Sequence, residues 1–257
     1  MTVGRNPQVH EPALQKPLTD DSFFNGQVIC HQHQDGYRFS IDAVLLAHFC
    51  RPAGQDDKIL DIGCGCGVIG LILCHRFPKL RLTGLELQPA LAELARNNVM
   101  ANQWQDRFAV LQGDLRKIKE YVKPESFDCV LSNPPFYQLR NGRVSQADEY
   151  ALAKHELAAD PASVLAAAAF AVRNRGTVCC VYPAGRLAAI LAVMQEHLLA
   201  PKRLQPVYSY PEDDQARLVL LEAVKNGGLG LCLLPPLYIY QRKNGPYSPA
   251  LQAMYRL

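Results

Sequence analysis

The chain has 257 residues, 49% of them hydrophobic, and a formal net charge of +3. That suits one large globular domain with small additions and a substantial core. No apolar run reaches the roughly 20 residues a membrane span needs, and so mild a positive charge permits a nucleic-acid partner without demanding one.

Nine cysteines do not read as a disulfide framework. There is no C-x-x-C pair and no signal peptide, and Cys74, Cys129, Cys179 and Cys180 sit in apolar runs, where a free thiol behaves as a small hydrophobe. A reducing cytoplasm is the expected compartment. In "CHQH", 30–33, strand alternation puts Cys30 and Gln32 on one face and both histidines on the other. With no second ligand cluster apparent, no metal is expected.

Residues 1–20 are rich in Pro, Gln and charge and lack periodicity, so a flexible tail is expected. Residues 27–39 suggest a short strand pair turning at Asp35-Gly36. "SIDAVLLAH", 40–48, predicts a helix capped by Ser40 or Asp42. A regular alternation then begins. "KILDIG" is a strand, "GVIGLILCHRF" an apolar helix ended before Pro78, and "RLTGLEL" a second strand. Pro89 suits the first turn of the next helix. "FAVLQGD" and "FDCVLSN" are the third and fourth strands. After a long polar segment, 138–160, Pro161 opens an alanine-rich helix to about Val172. Gly176 starts the strand "TVCCVYP", a helix covers about 185–199, and strands near 203–209 and 217–224 follow. Strands alternating with helices in this way predict an α/β fold. It is Rossmann-like, with a mostly parallel seven-stranded sheet, helices on both faces and an antiparallel edge strand.

"DIGCGCG", 61–67, joins the first strand to the first helix. Glycines there let the backbone approach a ligand beside a helix N-terminus. Gly65-x-Gly67-x-x-Gly70 satisfies the dinucleotide pattern, and Glu86 ends the second strand where an acid can bind ribose hydroxyls, so a nicotinamide enzyme is one reading. Asp61 weighs against it. An acid just before the first glycine repels a pyrophosphate and suits a ligand bearing an ammonium group, such as S-adenosylmethionine. Asp61-x-Gly63-x-Gly65-x-Gly67 with the distal Glu86 resembles the first motifs of class I methyltransferases, and Asp114 after the third strand matches the acid that takes the adenine amine. Plainer readings stay open: turn glycines, a solvated Glu86, and Asp114 as the cap of "DLRKIKEY".

The fourth strand stops at Asn133-Pro134-Pro135-Phe136. A conjugated amine or an amide nitrogen is a poor nucleophile because its lone pair is delocalised. Asn133 offers a side-chain acceptor and Pro134 a backbone carbonyl. The prolines bring no competing N–H and fix the local dihedrals, and Phe136 can stack on a planar group, worth about 1–3 kcal/mol. "NPPF" closely matches the motif of methyltransferases acting on adenine N6, guanine N2 or glutamine N5.

"DGYRFSIDAVLLAHF", "ILDIGCGCGVIGLIL", "GLELQPALAELARNN", "SNPPFY" and "GPYSPALQAMY" together resemble the bacterial family of valine-tRNA adenine-N6 methyltransferases, over about residues 20–257. The resemblance implies S-adenosylmethionine as cofactor and tRNA as partner, with the methyl placed on an anticodon-loop adenine. It assigns Asp61, Gly63, Gly65, Gly67, Glu86 and Asp114 to the cofactor and Asn133, Pro134, Pro135 and Phe136 to the base. Asp42 either helps close the cofactor pocket or caps its helix. A loop adenine is already unpaired, which removes the cost of opening a duplex. Candidate phosphate contacts are Arg140 and Arg143, then Arg38, Lys154, Lys202, Arg203, Arg242 and Lys243; His155 reads as a polar loop residue. The expected organisation is a tail at 1–20, a cap segment at 21–50, the methyltransferase domain at 51–226 and a C-terminal extension at 227–257 packed on the same domain. The rivals are methylation of guanine N2 or glutamine N5, and a non-catalytic RNA-binding module that keeps the pocket. No membrane association is expected, and the sequence does not fix the oligomeric state.

Overall fold

The computed structural model describes residues 18–33, 40–54, 56–134 and 160–256. Strands β1 (Leu18–Phe23) and β2 (Val28–His33) form an antiparallel hairpin. Its turn is at Asn25-Gly26, whose φ values of 55° and 85° lie in the left-handed region that Asn and Gly tolerate. The strand pair expected at 27–39 therefore lies earlier in the chain, its first strand takes in residues 18–20 of the expected tail, and Asp35-Gly36 lies outside the described residues. The faces of β2 are as expected: Cys30 and Gln32 are buried.

Helix α1 (Ile41–Phe49) follows, with Ser40 at the N-cap but no side-chain cap bond from it. The alternating part then runs β3 (Lys58–Ile62), α2 (Val68–Arg76), β4 (Arg81–Glu86), α3 (Pro89–Ala101) and β5 (Phe108–Gln112). After it come a short α4 (Ile118–Tyr121), β6 (Phe127–Ser132), α5 (Pro161–Ala171), β7 (Val172–Pro183), α6 (Leu187–Glu196), β8 (Leu199–Tyr208) and β9 (Leu218–Lys225). The order across the main sheet is β5-β4-β3-β6-β7-β9-β8, parallel except for β9, which runs antiparallel to β7 and β8. Two short strands, β10 (Cys232–Leu233) and β11 (Leu237–Tyr238), add to β8 beyond the seven expected. Helix α7 (Pro249–Arg256) ends the described chain.

Both faces of the sheet are covered, which is why its strands read as continuous apolar runs rather than alternating ones. Ile59, Leu82, Cys129, Leu131, Cys179 and Val181 pack with α1, α2 and α3. Leu60, Leu85, Val130, Val178 and Cys180 pack with α5 and α6. Helix α2 buries every residue from Val68 to Cys74, and each of its fully buried Leu or Ile side chains contributes about 1.5–3 kcal/mol.

The hairpin is fastened over α3 by two amides one helical turn apart. Asn98 accepts from the His31 N–H at 2.8 Å and donates to the His31 carbonyl at 3.0 Å. Asn102 treats Ile29 in the same way, at 3.0 and 2.7 Å. The two side chains thus act as a substitute strand edge for β2. Asn98 is fully buried and also donates to the Cys66 carbonyl at 2.9 Å, so it joins the hairpin to the loop after β3. The C-terminal segment closes on the same region: Tyr255 stacks on Phe23 at 5.7 Å and its carbonyl accepts from the Phe24 N–H.

Asn98→Ala leaves buried backbone groups without partners and lowers stability by about 1–3 kcal/mol. Asn102→Ala, where water reaches the same groups, costs well under half as much. Urea unfolding of the two variants checks this; equal losses would contradict the clamp at Asn98.

Candidate active site at the strand ends

Asp61 is the fourth residue of β3, an inner strand, where parallel packing calls for an apolar side chain. It has no exposed surface, and neither carboxylate oxygen has a hydrogen-bond partner among the described residues. Burial, helped by the nearby Glu86 carboxylate, pushes its pKa from 3.8 up to about 7. A buried carboxylate without a partner is costly, and a cationic ligand that reaches it removes that cost. Asp61 is thus the feature that calls for a positively charged group.

The loop after Asp61 gives such a ligand room. Gly63 and Gly65 have φ of 74° and 57°, and a Cβ on either would point into open space. Any other residue there would be strained and would fill that space. Gly67, φ 87°, caps α2 and packs toward Ala95 and Phe108 instead. Gly70 serves close approach of α2 to the sheet, since a Cβ would come within 2.4 Å of the Phe108 ring.

Glu86 is buried and braces the loop. One oxygen accepts from the Gly65 N–H at 2.9 Å, the other from the Gln88 N–H at the start of α3, at 2.8 Å. An ionised carboxylate accepts about four hydrogen bonds, which leaves capacity for ligand hydroxyls. Asp114 is differently engaged. It caps the short turn Leu115–Lys117 through the Arg116 N–H and forms a paired ion bridge with the Arg116 guanidinium. That partner holds its carboxyl below the usual range. The capping reading of Asp114 is the one the geometry contains. Asp42 is half-buried in the first turn of α1, with its pKa raised by burial and held back in part by the nearby Ser40.

Asn133 follows β6, the neighbour of β3. Ser132 is the register partner of Ile62 and donates to the Ile62 carbonyl at 3.0 Å. Asn133 therefore comes one residue past that tie, beside the turn into the glycine loop. It is partly exposed, and Pro134 is buried. Pro135, Phe136, Arg38, Arg140, Arg143, Lys154 and His155 lie outside the described residues. Two of the other candidate phosphate contacts are occupied elsewhere: Lys202 donates to the carbonyls of Gly228 and Leu229, and Arg203 pairs with Glu222 at 2.5 Å and lies over the Phe49 ring. Arg242 and Lys243 are exposed. Sequence reasoning missed Asn98, whose amide holds the Cys66 carbonyl of the glycine loop; its signal was an Asn at a buried position of an otherwise well-patterned helix.

No helix among the described residues is long and apolar enough to cross a membrane. Residues 39–166 match the family model described as the methyltransferase small domain. A tRNA1(Val) (adenine(37)-N6)-methyltransferase of Porphyromonas gingivalis is 30% identical over 190 residues, 71% of this chain and 72% of that protein. Among solved structures, a predicted O-methyltransferase from Agrobacterium tumefaciens superposes with a TM-score of 0.67 at 21% identity, covering 83% of this chain and 95% of that one. A geranyl diphosphate C-methyltransferase from Streptomyces coelicolor A3(2), solved with S-adenosyl-L-homocysteine, shares the fold at a TM-score of 0.51 and 14% identity, over 71% and 74% of the two chains.

A carboxyl raised by burial binds its proton more tightly folded than unfolded. Its contribution to stability is full below about pH 4 and is lost as pH rises through about 7. Asp61→Asn, neutral throughout, removes that loss. Its stability relative to the parent, read from urea unfolding of the ligand-free proteins, should rise by roughly 2–3 kcal/mol between about pH 5 and about pH 8. A difference that does not change with pH would show that Asp61 is not a buried, unpaired acid.

Proposed function

The chain belongs to the tRNA1(Val) (adenine(37)-N6)-methyltransferase family, and from that premise we propose the work of each site residue. It is an S-adenosylmethionine-dependent methyltransferase, and its acceptor is the N6 amine of an anticodon-loop adenine in tRNA. When bound, S-adenosylmethionine supplies an electrophilic methyl on a sulfonium together with an ammonium group. Asp61 offers that positive charge its missing partner. Gly63 and Gly65 leave the space in which backbone and ligand meet, while Glu86 holds the loop and keeps acceptor capacity for ribose hydroxyls. Asp114 takes the adenine amine of the cofactor once Arg116 gives way.

The observation that carries the reading is the tie between β3 and β6. Asn133 follows one residue past that tie, and the glycine loop begins two residues past Asp61, which has no hydrogen-bond partner among the described residues; this closeness along the two strands supports the reading. The Asn133 side-chain carbonyl and the Pro134 backbone carbonyl accept the two N–H groups of the target amine and turn its lone pair toward the methyl. Phe136 stacks on the base. Arg140 and Arg143, in the segment that follows, hold tRNA phosphates. Catalysis is by positioning and electrostatic preorganisation, and the proton leaves to solvent after transfer, so no strong base is required.

Purified protein incubated with labelled S-adenosylmethionine and unmodified total tRNA should place label in N6-methyladenine, with ribosomal RNA and protein extract unlabelled. Label in guanine or glutamine would overturn the acceptor, and no label with cofactor still bound would indicate a binding module. Asn133→Ala should lower the transfer rate by about 100-fold or more with cofactor affinity nearly unchanged; an equal loss of both would contradict its role. Arg140→Ala with Arg143→Ala should weaken tRNA binding and lower its salt dependence.

A further inference from the structure

Two thiols meet where the N-terminal hairpin touches the glycine loop. Cys30 is on β2, and Cys66 lies in the loop, just before α2 begins at Val68. Their sulfurs are 3.8 Å apart. Asn98 holds both segments at this point: its amide nitrogen donates to the Cys66 carbonyl at 2.9 Å and lies 3.8 Å from the Cys30 sulfur. A disulfide bond is about 2.05 Å long, so the two sulfurs need to close by roughly 1.8 Å to form one. Rotation of the two side chains about their Cα–Cβ bonds supplies movement of that size.

The pair differs from thiols that merely fill a core. Cys66 sits at the N-terminal end of α2, where helix N–H groups favour a thiolate. The Cys30 thiol, directed at the Cys66 sulfur, holds the Cys66 pKa below its ordinary 9.0, and the Val68 N–H adds to this against the opposing effect of burial. The same contact, together with burial, raises Cys30. Cys66 is therefore the nucleophile of the pair and Cys30 the resolving thiol. Cys66 also keeps 8% exposure, and its neighbour Gly65 borders open space. Cys50 and Cys129 come equally close, 3.8 Å, but at 0% and 2% exposure they lie deep in the packing of α1 against the sheet.

We propose that Cys30 and Cys66 form a redox-modification site, where a small hydroperoxide joins them in a reversible disulfide that weakens cofactor binding. The Cys66 thiolate attacks one peroxide oxygen. The O–O bond breaks, and the other oxygen takes a proton and leaves as water or an alcohol. Cys30 then attacks the sulfur of the resulting Cys66 sulfenic acid; the S–O bond breaks, the S–S bond forms, and the oxygen leaves as water with the proton of Cys30. The peroxide gains the two electrons that the two thiols lose. A dithiol reductant returns both thiols by exchange. The new bond draws Cys66 toward β2, and Gly65 and Gly67 with it, which changes the space the loop leaves beside Asp61. The effect on affinity rests on the cofactor role proposed above for this loop; formation of the disulfide does not, and the two are read by separate measurements.

The full-length chain is tested in a Cys232→Ser background, which removes the exposed thiol. It is treated with hydrogen peroxide, then denatured in iodoacetamide and digested. Peptide mass spectrometry should find Cys30 linked to Cys66, a link that dithiothreitol abolishes, with Cys50, Cys129 and Cys179 still alkylated. In Cys30→Ser, which lacks the resolving thiol, dimedone should trap a sulfenic acid at Cys66. Calorimetry of S-adenosylmethionine binding should show affinity falling by roughly 10-fold or more on oxidation and recovering on reduction. Cys30 and Cys66 both alkylated after peroxide treatment, a disulfide between Cys50 and Cys129 in their place, or a Cys30–Cys66 disulfide that leaves the affinity unchanged would overturn the proposal.

Discussion

The structure is organised around an unfavourable placement, a carboxylate inside a parallel sheet with no hydrogen-bond partner among the described residues. Asp61 occupies a position that packing would give to Val or Ile, and it raises its own proton affinity in consequence. The surroundings do not relieve it; they leave space. Gly63 and Gly65 keep the side of the loop open, and Glu86 secures the loop through the Gly65 N–H without approaching as a donor. A fold that tolerates such a group gives up stability where its ligand will restore it, as functional sites commonly do.

The rest of the molecule holds that placement rigid. Parallel pairing of β3 with β6 and the Ser132 bond to the Ile62 carbonyl fix where Asn133 begins relative to the glycine loop. On the other side of the loop, Asn98 reaches from α3 to the Cys66 carbonyl while gripping β2. The N-terminal hairpin and the C-terminal helix α7 close on each other through Phe23, Phe24 and Tyr255. The additions at both ends of the chain therefore pack into the same core, on the face of the sheet that α1, α2 and α3 cover.

Much of this was legible from the residues, because the signals were local. Apolar runs separated by helix-length segments predicted β3 to β9 and their helices to within a few residues. Beyond its start at Val172, β7 shows a register shift where the sequence pointed to Gly176. The spacing of Asp61, the glycines and Glu86 singled out the loop that the structure leaves open beside the buried Asp61. What escaped notice depends on contacts between distant segments. Asn102 looks like an ordinary helix-surface amide until the hairpin lies across it, and Asn98, on the apolar face of its helix, shows its partners only then. Asn25-Gly26 carries a turn signal as strong as Asp35-Gly36, and burial of Phe23 and Phe24 anchors the hairpin there. Arg203 reads as a surface cation, yet strand pairing sets it opposite Glu222, and Cys50, Cys129 and Cys179, far apart in the chain, meet in the core.

By the roles proposed for these residues, cofactor binding ionises Asp61 by giving it a cation. Calorimetry of S-adenosylmethionine binding at about pH 6, in two buffers of different ionisation enthalpy, tests it most directly. The account predicts release of close to one proton per cofactor bound by the parent protein, because the free carboxyl is mostly protonated there, and none by Asp61→Asn, which should also bind far more weakly. Equal heats in the two buffers for the parent protein would contradict it.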